Sequence, residues 1–156
     1  MKKLITFIAM ISTVLSLSVA ESLIGKTEKA QNKDVEVGQD LIDRGYTKIK
    51  IPKGVDKKVI IENTTGELVV VDIFEQESKN MIGKIVEGAL GKNYEEEPEH
   101  AKTIKVSPDK PYKKNPCSDD IDDMDAIYVK ILSEKDFEII DEGNFKDNLK
   151  LIISAK

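Results

Sequence analysis

From Tyr46 onward, apolar and polar residues alternate with a period of two, and that alternation predicts strands. Thr47-Lys48-Ile49-Lys50-Ile51 puts both isoleucines on one face and both lysines on the other. Pro52-Lys53-Gly54 then turns the chain. Val59-Ile60-Ile61 and residues 68–74 are β-branched runs separated by Asn63-Thr64-Thr65-Gly66. That spacing predicts a hairpin with Gly66 at positive φ. The unbroken run Leu68-Val69-Val70-Val71 predicts a central strand covered on both faces. Residues 103–106, 126–132, 137–140 and 149–155 complete a set of about seven strands, with turns at 133–136 and 141–144. The series predicts a mainly β fold, an antiparallel β-sandwich of immunoglobulin-like or jelly-roll type. The chain has no tryptophan and only one cysteine, so the immunoglobulin likeness is one of architecture alone. Ile61, Val69, Val71, Val129, Ile131 and Leu151 are the expected interior.

One segment departs from the period of two. Residues 78–90 carry Met81, Ile82, Ile85, Val86, Ala89 and Leu90 at helical spacing, which predicts one short inserted helix. Ser78 is placed to cap its start and Gly91 to end it, while Gly83 and Gly88 weaken it. The plainer reading is a crossover helix whose stripe packs on its own sheets. The functional reading makes Met81, Ile82, Ile85, Val86 and Leu90 a ridge that docks a protein partner. A membrane surface is the third option; Lys79, Lys84 and Lys92 suit it, and Glu77 and Glu87 oppose it.

The first twenty residues have a pattern of their own. Lys2 and Lys3 precede an apolar run over residues 4–19, which closes on Ser18-Val19-Ala20. This charge, apolar core and small-x-small ending predict a signal peptide cleaved between Ala20 and Glu21. The run is shorter than the roughly 20 apolar residues of a spanning helix, so no stable membrane insertion is expected after cleavage. Export implies a periplasmic or secreted protein. Residues 21–43 are polar and read as a flexible leader, with Val35 and Val37 allowing a short edge strand. Residues 44–156 then form one domain, long enough to hold a core without disulfides.

Composition narrows the function classes. The 156 residues carry a formal charge of −5, and Arg44 is the only arginine. An acidic chain with a single forked cation is a poor binder of nucleic acid or anionic lipid. Abundant Lys, Ile, Glu and Asn fit a bacterial coding bias, which makes the glycosylation pattern Asn63-Thr64-Thr65 plain turn chemistry. Cys117 has three readings: a half-buried small residue, an intermolecular disulfide, or a catalytic thiol with His100, the only histidine, as its base.

Two acidic stretches remain. Glu95-Glu96-Glu97-Pro98-Glu99-His100 offers carboxylates and one imidazole, and reads as a solvated run. Asp119, Asp120, Asp122, Asp123 and Asp125 are dense enough to supply hard oxygens to calcium. They lack the glycine and closing glutamate of the helix-loop-helix calcium loop, which leaves a solvated loop as the competing reading. No cofactor motif is present, and no constellation commits to catalysis. The resulting expectation is an exported binding or interaction module. The alternatives are an assembly subunit that uses strand complementation and a small hydrolase that uses paired carboxylates.

Overall fold

The computed structural model describes residues 36–78, 85, 88–89 and 95–156. Among the described residues, eight strands are formed: β1 (Thr47–Lys50), β2 (Val59–Asn63), β3 (Val69–Glu77), β4 (Glu99–Val106), β5 (Tyr112–Lys114), β6 (Met124–Ile131), β7 (Phe137–Phe145) and β8 (Asn148–Ala155). They make two four-stranded sheets, ordered β1-β6-β3-β4 and β5-β2-β8-β7. A five-residue helix, α1 (Gln39–Asp43), precedes β1, and a 3-10 turn, η1 (Ile121–Asp123), precedes β6.

Period-two alternation builds the core. Val59 and Ile61, Val69, Val71 and Ile73, Ile104 and Val106, Ile127 and Val129, and Leu149, Leu151 and Ile153 join one buried cluster drawn from both sheets. The expected interior is therefore found, with Ile131 half-buried against its margin. The fold is mainly β, with two sheets on one core. One pair departs from the antiparallel rule: β2 runs parallel to β8, Ile61 opposite Leu151. The second sheet is therefore mixed.

The expected hairpin at residues 63–66 does not form. β2 and β3 belong to different sheets, so the segment is an arch between them. Asn63 holds it. Its amide nitrogen donates to the carbonyls of Glu67 (2.6 Å) and Val106 (2.8 Å), and its Oδ1 accepts from the Thr65 N–H (3.0 Å). Thr64 donates its N–H to the Ile153 carbonyl at 2.9 Å. Gly66 does take positive φ, +79°. Turn chemistry was legible at this point, but the sheet that each strand joins was not, because arch and hairpin need the same turn residues.

The strand covered on both faces is β6 rather than β3. β3 is central, but Leu68 is 59% exposed and Val70 only half-buried. In β6, Ile127 and Val129 face the main core, while Ala126 and Tyr128 enter a second cluster with Leu41 and Tyr46. Leu41 comes from α1, within the stretch that sequence assigns to the leader. Gly38 makes that docking possible. It has φ +81°, and a Cβ there would collide with the buried Tyr128 hydroxyl.

Residues 141–144 also differ from expectation. β7 continues through them to Phe145 with a bulge between Asp141 and Gly143. The tight turn lies at Lys146 (φ 52°) and Asp147 (φ 66°), between the paired residues Phe145 and Asn148. Neither residue is glycine, and that hid the turn. Within the predicted helix, Ile85, Gly88 and Ala89 have helical backbone, and Ile85 is 65% exposed rather than packed. Met81, Ile82, Val86 and Leu90 lie outside the described residues.

Candidate functional site

β4 and β5 are consecutive strands on the edges of different sheets. Inward Ile104 and Val106 turn Lys105 outward on β4. The chain then passes through Asp109, Lys110 and Pro111, held by a bridge between Ser107 and Lys110, and enters β5. Lys113 and Lys114 are exposed there. These residues line an open groove of about 560 Å³, together with Tyr112. None of the groove lysines 105, 110, 113 and 114 is in an ion pair among the described residues, whereas Lys57, Lys135, Lys150 and Lys156 all are. Tyr112 anchors the groove floor against the core, its hydroxyl buried without a hydrogen-bond partner. Burial, and then the neighbouring Cys117, raise the Tyr112 pKa.

Sequence reasoning missed this site because charge was summed over the whole chain. A signal was available: Lys102, Lys105, Lys110, Lys113 and Lys114 fall in thirteen residues that contain one acidic side chain, Asp109. Topology then gathers four of them on one groove.

Two other polar clusters are structural. On the outer face of the first sheet, Asp72 accepts hydrogen bonds from the hydroxyls of Tyr46 (2.6 Å) and Thr103 (2.6 Å) and pairs with His100 Nε2 (2.9 Å). Phe74 packs edge-on to both the Tyr46 and His100 rings, at 5.3 and 5.1 Å. Burial alone would raise the Asp72 pKa, but hydrogen bonds from Thr103, Tyr46 and His100 outweigh it and hold the carboxyl below its ordinary range. Tyr46 shifts upward, through burial and then its bond to Asp72. Donors from β4 and from the segment before β1 thus converge on one β3 carboxylate. The cluster ties strands together.

The second cluster surrounds Glu75, which is buried. It accepts from the Ser118 N–H (2.7 Å) and hydroxyl. Burial and the Glu75 carboxylate push the Cys117 thiol up to about 12. A thiol so held stays protonated, and His100 is engaged elsewhere by Asp72. The catalytic pair considered from sequence is therefore not formed, and the half-buried reading describes Cys117. Glu75, Glu77, Glu96, Glu97 and Glu99 line a small acidic pocket. Burial and then Asp119 raise the Glu77 pKa.

The aspartates considered as calcium ligands are exposed, as a solvated loop requires. Asp119 turns toward Glu77, while Asp120, Asp122, Asp123 and Asp125 are exposed around η1. Asp123 and Asp125 use their backbone carbonyls to accept from the N–H groups of Ser78 (2.7 Å) and Ile51 (2.9 Å). Among the described residues, no three His, Cys, Asp or Glu side chains are grouped to hold a metal ion. Nor is any helix of the described residues long and apolar enough to cross a membrane. Comparison with protein families, curated proteins and solved structures finds no match.

Proposed function

We propose that this chain is an exported, non-catalytic interaction module that takes an acidic segment of a protein partner along the groove of Lys105, Lys110, Lys113 and Lys114. The observation that carries this reading is the gathering, on one groove of an acidic chain, of four exposed lysines without ion pairs among the described residues. Like charges repel one another there, and an acidic ligand relieves the repulsion. A protein partner suits the groove better than nucleic acid. The sole arginine, Arg44, lies over the Tyr46 and Phe74 rings instead, and Tyr112 packs on the core rather than offering a stacking face. The export half of the reading rests on residues 1–20, with Glu21 as the N-terminus of the native protein.

Fluorescence anisotropy with a labelled Glu-rich peptide tests the groove. Lys113→Glu with Lys114→Glu should weaken binding about tenfold, and salt should weaken the parent similarly. Equal affinity of parent and variant would overturn the assignment.

A further inference from the structure

Resting on the groove reading above, we propose that the acidic segment it takes is the β7 edge of a second copy of this chain, joined head to tail. The second sheet ends in two strands, β5 and β7, each paired on one side only among the described residues. The two edges carry opposite charge. β5 presents Lys113 and Lys114, with Lys110 beside it. β7 presents Glu138 and Asp141, neither of which is in an ion pair among the described residues, whereas Glu142 is held by Lys150 at 3.0 Å.

The regular part of β7 is also long enough to take β5. β5 has three residues. β7 runs regularly from Phe137 to Asp141, where its bulge begins. The bulge prevents longer pairing and limits any incoming strand to the short segment before it. On the outer face, Ile140 is 42% exposed and adds apolar contact next to Glu138. Lys113 points to the same outer face, since it stands opposite Ile60 while Val59 and Ile61 face the core. Joining β5 of one copy to β7 of the next therefore continues the sheet and sets Lys113 near Glu138.

Charge also fixes the mode of joining. Two β7 edges repel each other, as do two β5 edges, so a symmetric dimer is disfavoured. Only the unlike edges attract. Such a contact is heterologous and leaves a free edge at each end, so growth is open. The short contact makes each step weak and sensitive to salt.

Sedimentation equilibrium over rising concentration tests this. The native exported protein in low salt should show a weight-average mass that climbs without a plateau and returns to monomer in high salt. Lys113→Glu with Lys114→Glu makes both edges acidic, and Glu138→Lys with Ile140→Lys makes both basic. Each variant alone should remain monomeric, and an equal mixture, in which unlike edges meet at both junctions, should recover the mass that climbs without a plateau. A parent that stays monomeric while the Glu-rich peptide still binds would overturn self-association and leave the groove reading standing. Failure of the peptide as well would remove both. A mass that levels at a dimer in the parent would overturn the head-to-tail mode.

Discussion

Val129 shows how much one side chain carries. It is 1% exposed and stands opposite Thr47 on β1 and Ile73 on β3. Val129→Ala removes two methyl groups from a site fixed on both sides by strands, so the cavity closes only in part. The expected cost is roughly 1–3 kcal/mol, read as a lower denaturant midpoint with an unchanged slope. Asp72 carries a different load. Its folded pKa lies below the ordinary value of 3.8, so its hydrogen bonds contribute fully above that value. Their contribution is lost as pH falls through the folded pKa. Asp72→Asn should therefore melt below the parent at neutral pH, and the gap should narrow as pH falls through and below 3.8. A gap that is constant over that range would mean the carboxylate charge contributes nothing. Residue by residue, alternation made the interior legible: Ile61, Val71 and Leu151 sit where their period places them. Asp72 was not legible, because its partners lie 26, 28 and 31 positions away. A short-range pattern has no access to such separations.

Elements were legible where chemistry is local and hidden where it depends on pairing. Seven of the strands announce themselves by β-branched alternation. β5 does not, since Tyr112-Lys113-Lys114 is short and lysine-rich, and it exists because β2 offers it an edge. The 63–66 arch and the β7–β8 turn show the same division. Asn63 to Gly66 carried the usual turn residues but joined different sheets. Lys146 and Asp147 carry few such signals, yet both hold positive φ in a two-residue hairpin turn. Left-handed backbone strains a lysine more than an asparagine. Lys146→Asn should accordingly stabilise the protein, by up to ~1 kcal/mol. A lower melting temperature would mean that the Lys146 ammonium over the Phe145 ring, at 5.3 Å, outweighs backbone relief.

For the whole molecule, total charge and charge arrangement give different answers. A formal −5 suggests a surface that repels polyanions. The topology nevertheless sends β4 and β5 to adjoining edges, and the loop between them completes a basic groove. That arrangement depends on which strand becomes an edge, which the sequence pattern does not encode residue by residue. His100 is engaged by Asp72, and Cys117 is held protonated. The most direct test is a backbone amide NMR titration of the isotope-labelled protein with the Glu-rich peptide. Shifts should concentrate on residues 105–114, fade in high salt, and disappear in Lys113→Glu with Lys114→Glu. Shifts centred elsewhere, or a groove that remains silent at saturating peptide, would contradict the account.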